Sequence, residues 1–143
     1  MKFWDSSALV PLFVKDRHLP ASMRILKKDD DLMVWWMSDV ECASAISRWE
    51  REGHLSCEEA STSFDRLMQL REGWHEIEPI DTIRDTAKRL LRVHTLRAAD
   101  ALQLASAILA SEHQPSTLDF VCFDQRLNEA AQREGFNVWG YHE

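Results

Sequence analysis

The sequence predicts a single α/β domain over residues 1–143, with a central, mainly parallel sheet flanked by helices. Three observations carry that expectation. Helix and strand patterns alternate along the whole chain, the order that builds parallel sheets. The 143 residues suit one domain, and 45% of them are apolar, enough for a real core. Gly and Pro number only four each, which favours regular structure over disorder. There is no internal repeat, low-complexity stretch or linker.

The elements read as follows. Residues 2–5 form a short strand. A helix runs from Ser6 to Lys15 with Leu9, Leu12 and Phe13 on one face; Pro11 ends or bends it. Pro20 to Lys28 is a second helix, with Pro in its first turn. Leu32 to Trp36 is an apolar run of strand length. Ser38 and Glu41 have the spacing of a capping box, opening a helix that reaches Glu52 and stops at Gly53. Ser56 and Glu59 repeat the pattern for a helix ending near Gly73. Trp74 to Ile77 is a strand, Asp81 to His94 a helix, and Ala98 to Ala110 a nearly all-apolar helix. Phe120 to Phe123 is a strand, Asp124 to Arg133 a helix capped by Gly135, and Phe136 to Trp139 the last strand.

The chain carries 17 basic and 24 acidic residues, a net charge of −7. That balance favours solubility and argues against broad, non-specific nucleic-acid binding. A nuclease remains compatible with it if carboxylates hold metal and a local basic face holds phosphates. Cys42, Cys57 and Cys122 are odd in number and match no zinc spacing, so they read as free thiols of a reducing cytoplasm. No apolar run reaches membrane-spanning length, and Asp5 interrupts any apolar leader at the start. The expected location is cytoplasmic, with no membrane partner.

Four carboxylates stand out. Asp5 and Asp124 each close an apolar strand and precede a helix. Both can be simple helix N-caps, yet carboxyl ends of strands are also where open α/β sheets bind ligands. Asp100 lies in Ala98-Ala99-Asp100-Ala101-Leu102, a helix apolar nearly all round. An ionised carboxylate there needs a partner: either Arg97, three residues earlier, or a metal. Glu41 lies in Val40-Glu41-Cys42-Ala43, where a capping box with Ser38 also accounts for it. Together the four make an oxygen cage, and oxygen donors select hard cations such as Mg²⁺ or Mn²⁺. Such a site suits phosphodiester hydrolysis by metal-activated water, with Asp5 and Asp100 as direct ligands.

The stretches Trp4-Asp5-Ser6-Ser7-Ala8-Leu9-Val10, Ser38-Asp39-Val40-Glu41, Leu96-Arg97-Ala98-Ala99-Asp100-Ala101-Leu102-Gln103-Leu104-Ala105 and Phe120-Val121-Cys122-Phe123-Asp124-Gln125-Arg126-Leu127 occur in that order. In this the sequence resembles PIN-domain proteins, in particular VapC-type toxins of bacterial toxin–antitoxin pairs, over essentially the whole chain. The resemblance implies a PIN-like domain, with an acidic catalytic site on Asp5, Glu41, Asp100 and Asp124 and a supporting role for Ser7 near the metal. It implies a Mg²⁺- or Mn²⁺-dependent endoribonuclease, a homodimer, and inhibition by a cognate small antitoxin. Cys122 stands where the family often has Thr or Ser, which alters a hydrogen bond beside the site. Gln103 is assigned no role.

Arg84, Lys88, Arg89, Arg92 and Arg97 form a basic stripe. Lys88, Arg92 and Arg97 are candidate RNA phosphate contacts leading to Asp100; a solvated face explains them as well. The histidines (His18, His54, His75, His94, His113 and His142) form no short metal motif. Trp35 and Trp36 face opposite sides of a strand, so one is available for a dimer contact. Two rivals remain: a catalytically silent PIN-fold interaction module and a metal-dependent phosphatase.

Overall fold

A computed structural model describes residues 1–140; His142 lies outside the described residues. Five short strands, β1 (Lys2–Trp4), β2 (Leu32–Trp35), β3 (His75–Ile77), β4 (Asp119–Val121) and β5 (Asn137–Trp139), form one sheet. Its order is β3-β2-β1-β4-β5, and every neighbouring pair is parallel. β1 is central: the chain first builds outward on one side, through β2 and β3, then returns to build on the other. The α/β class and the parallel sheet are as the alternation predicts.

Alternation along each strand divides the core into two layers. Phe3, Trp35, Phe120 and Cys122 pack on one face of the sheet against α5 (Asp81–Val93), α6 (Ala98–Ala110) and α7 (Gln125–Arg133). Trp4, Leu32, Val34 and Val121 pack on the other against α1 (Ser6–Leu9), α2 (Leu19–Lys28), α3 (Ser38–Arg51) and α4 (Cys57–Gly73). Trp35 is therefore core, while Trp36 is 46% exposed. Among the described residues no helix is long and apolar enough to cross a membrane.

Two local expectations change. The first helix stops at Leu9, and Val10–Leu12 continues as a 3-10 turn with Pro11 buried. Pro has no N–H for the α-helical ladder, and the tighter turn accommodates it. The Ser38 capping box does not form: Met37 is the N-cap of α3, with no side-chain cap, and Ser38 is a fully buried first-turn residue. The box at Ser56 and Glu59 does form, with both reciprocal bonds present. Gly53 takes φ +81° just beyond α3, the left-handed conformation that stops a helix cheaply only with glycine.

Candidate active site

The site sits where the sheet changes its direction of growth. Asp5 follows central β1 and Asp124 follows β4, its immediate neighbour, so both leave the same carboxyl edge of adjacent parallel strands. Crevices of open α/β sheets form at such points. The edge is registered by Asp5 N–H donating to the Val121 carbonyl at 2.9 Å. α3 and α6 bring Glu41 and Asp100, each from its first turn.

Asp5 is almost wholly buried, at 4% exposure. Its Oδ2 accepts from the Ser7 backbone N–H at 3.0 Å, from the Ser7 hydroxyl at 2.5 Å and from the Cys122 thiol at 3.5 Å. Asp5 is thus an N-cap of α1, as the simpler reading held, and a member of the acidic group as well. Asp124 is likewise both: its Oδ1 caps α7 through the Leu127 N–H at 3.0 Å, and the side chain is exposed at the groove. Glu41 Oε1 accepts from Gln103 Nε2 at 3.0 Å. Asp100 makes no ion pair with Arg97 within 4 Å among the described residues. Arg97 is exposed and eases the Asp100 charge through its own charge and its backbone N–H.

The carboxylates perturb one another. Burial, with Asp124 adding its charge, raises the Asp5 pKa despite the Ser7 and Cys122 bonds. Glu41 is pushed up to about 7, first by burial and then by the charge of Asp5, with Gln103 pulling the other way. Asp100 rises to about 6, by burial first and then by Asp5 and Asp124. This is the signature of like charges gathered in a partly dry place.

Two grooves meet here. One, of about 660 Å³, includes Ser7, Asp16, His18, Glu41, Arg48 and Phe123 in its lining. The other, of about 870 Å³, includes Glu41, Arg48, Arg97, Asp100, Asp124 and Arg126. Glu41, Arg48 and Asp124 belong to both. Among the described residues no three His, Cys, Asp or Glu side chains converge into a ready cation cage. The donor chemistry nonetheless fits Mg²⁺ or Mn²⁺. The well-formed side-chain bonds occupy Asp5 Oδ2, Glu41 Oε1 and Asp124 Oδ1, each carboxylate has a second oxygen, and Mg²⁺ takes only one or two carboxylates directly while keeping waters. Burial holds the Cys122 thiol protonated in the metal-free protein, its pKa well above the ordinary range.

Of the predicted phosphate contacts, Arg97 lines the acidic groove. Lys88 and Arg92 are exposed on α5 and line neither groove, while Arg89 is taken by Glu134 at 2.8 Å. A solvated face accounts for Lys88 and Arg92. Arg48, Arg126 and Gln103 were missed. Arg48 had a signal: Glu41, Ser44, Ala45 and Arg48 are spaced i, i+3, i+4, i+7 on one face of α3. Gln103 had none, since its meaning lies in Ser6, Ser38 and Glu41, three residues far away in sequence.

A family model described as the PIN domain matches residues 2–132. No curated protein sequence matches. Among solved structures, a toxin-antitoxin complex from Klebsiella pneumoniae is 16% identical with TM-score 0.64, covering 88% of each chain. FitAcB from Neisseria gonorrhoeae is 13% identical with TM-score 0.67, covering 97% of this chain and 96% of that one. At these identities the likeness is one of fold.

Proposed function

The chain belongs to the PIN domain family, and we propose that it is a metal-dependent endoribonuclease that hydrolyses RNA phosphodiesters, the toxin of a type II toxin–antitoxin pair. The observation that carries the reading is the gathering of Asp5, Glu41, Asp100 and Asp124, from four separate elements, at the edge between β1 and β4, where burial and then neighbouring carboxylate charge raise the pKa values of Asp5, Glu41 and Asp100. A cluster that costs stability without a cation is hard to account for as mere structure.

Asp5 and Asp100 are the direct ligands in this reading. When bound, Mg²⁺ or Mn²⁺ supplies an acidified water and charge neutralisation at the phosphate. Ser7 fixes the Asp5 carboxylate through two bonds to one oxygen. Gln103 holds Glu41 through one bond, which leaves Glu41, with Asp124, to complete the ligand set or orient the attacking water. Arg48, Arg97 and Arg126 line the same grooves and supply the local cationic surface that an acidic nuclease needs for RNA phosphates.

A cognate small antitoxin is the proposed inhibitory partner, placing a basic side chain such as Arg into the carboxylate cluster. The protein acts in the cytoplasm as a homodimer; exposed Trp36 supports an aromatic contact between copies. The direct test is incubation with generic RNA in Mn²⁺, in Mg²⁺ and in chelator, beside a chromogenic phosphomonoester. RNA cleavage that chelator abolishes supports the reading. Inert RNA with a hydrolysed monoester, or inertness toward both, overturns it. Co-expression of the adjacent small reading frame should relieve growth arrest; arrest with both proteins present would exclude that frame as the antitoxin.

A further inference from the structure

The 660 Å³ groove of the site holds a feature that metal chemistry does not use. His18, just before α2, lies ring-on-ring against Phe123, with centroids 4.7 Å apart and planes 8° from parallel. Both residues are half-buried, and both line the 660 Å³ groove together with Ser7, Glu41 and Asp124. A stacked pair in a core would be closed off; this one borders the space beside the carboxylates.

The pair is held from several directions. The Phe123 N–H donates to the Ser7 hydroxyl at 2.9 Å, and that same hydroxyl bonds Asp5. The ring position is therefore registered to the acidic centre through one side chain. Behind it lies Gly140, at φ +116°, where an added Cβ would stand 2.7 Å from Phe123 Cε1. His18 is fixed by its N–H donating to Asp16 Oδ1 at 2.6 Å. Ser44, Arg48 and Trp49, all from α3, add hydroxyl, guanidinium and further aromatic surface to the same groove. Its volume falls within the roughly 300–1,000 Å³ of small-molecule sites.

We propose that the stacked His18–Phe123 pair, beside the carboxylates in one groove, is a binding subsite for a nucleobase of single-stranded RNA next to the scissile phosphodiester. The inference rests on the ribonuclease reading for its ligand. A flat π-face held by neighbouring groups suits a base, because aromatic stacking accepts every base while polar side chains add preference. Arg48 faces three carboxylates in this lining, Asp16, Glu41 and Asp124, so apolar base contact adds to its phosphate contact in holding RNA at this end of the groove.

The experiment measures equilibrium binding by fluorescence anisotropy, with Ca²⁺ as the divalent ion and gel recovery confirming that the RNA stays intact. The probes are a short labelled oligoribonucleotide and the same sugar–phosphate chain without bases. The wild-type protein should bind the base-bearing chain about 5- to 150-fold more tightly, the range that base–aromatic stacking gives. His18→Ala should remove most of that preference, and His18→Trp should keep it; a thermal melt shows that each variant is folded. A preference that survives in folded His18→Ala, or is missing in the wild type, overturns the subsite. Cleavage in Mn²⁺ is scored separately. RNA bound through its bases but never cut removes the nuclease and leaves the subsite; RNA cut without base preference does the reverse.

Discussion

Asp100→Asn separates a metal ligand from half of a structural ion pair. The substitution keeps the shape of the side chain and removes its charge. At neutral pH that charge is costly in the metal-free protein, because burial and then Asp5 and Asp124 raise the pKa from 3.8 to about 6. At about 1.4 kcal/mol per pH unit the rise sets a ceiling near 3 kcal/mol. Asp100 is only about half shielded from water, so screening reduces the expected gain to about 1 kcal/mol. Asn should therefore stabilise the chelated protein by about that amount. An Asp100–Arg97 ion pair would predict the opposite, a loss of about 3–5 kcal/mol if buried.

The pH dependence gives a second constraint from the same variant. For a carboxyl whose folded pKa is raised, both states are protonated at low pH and the group contributes nothing. As pH rises from 3.8 the unfolded chain ionises first, so stability falls, and the full penalty is reached above about 6. The advantage of Asp100→Asn should thus be largest at pH above about 7 and vanish toward about pH 4. The assays are urea melts in chelator across that range and RNA cleavage in Mn²⁺, which should fall by orders of magnitude. A variant that is strongly destabilised at neutral pH, with cleavage in proportion to its folded fraction, would refute the ligand assignment.

Saturating Mn²⁺ or Mg²⁺ should raise the melting temperature at neutral pH, because cation binding to the folded state relieves the repulsion at Asp5, Glu41 and Asp100. Unmoved melting curves with both ions would contradict a clustered site. Gln103→Leu should lower stability by about 1–3 kcal/mol by stranding buried Ser38 and Ser6 hydroxyls. It should also move the acidic limb of the cleavage profile upward, since Gln103 holds the Glu41 pKa down; a destabilised variant with an unshifted profile would reduce Gln103 to packing. Gly140→Ala should cost about 1–3 kcal/mol through a strained positive φ and a clash with Phe123 and the Cys122 carbonyl, and a melt unchanged from wild type would mean that this backbone relaxes freely.

The fold was legible because its signals are local and periodic. Helix α6 follows its alanine- and leucine-rich run from Ala98 to Ala110 without adjustment, and the Ser56–Glu59 box marks the start of α4. The Ser38–Glu41 spacing is identical to that box yet forms none, because Ser38 is drawn into the interior and Glu41 toward the groove. A local motif lost to tertiary hydrogen bonds that no local pattern encodes. The carboxylates stood out in the sequence for the complementary reason. Each stands at a strand end or in an apolar helix where its chemistry is out of place, and sequence alone shows such misplacement. The basic stripe illustrates the limit: spacing puts Lys88 and Arg92 on one face of α5, but says nothing of which way that face looks.

Gln103 shows most clearly why the remainder was hidden. It is fully buried, with Nε2 within 2.8 Å of Ser6 Oγ, 3.2 Å of Ser38 Oγ and 3.0 Å of Glu41 Oε1. One amide nitrogen thus bridges α6 to the first turns of α1 and α3, the helices that follow β1 and β2. Two N–H groups serve three acceptors, and the bond to Glu41 is the strong one because its partner can be charged. The amide oxygen and the nearby Ser106 hydroxyl, one turn along α6, have no protein partner. An apolar residue at position 103 would carry no unpaired amide oxygen of its own, but it would strand the Ser6 and Ser38 hydroxyls and leave Glu41 free to swing. The polar brace therefore accepts one unpaired buried amide oxygen in return for holding two hydroxyls and one carboxylate. The bond to Glu41 ties this otherwise silent glutamine to the same groove as the four acids, and the shifted pH profile expected of Gln103→Leu is what separates a positioning role from packing alone.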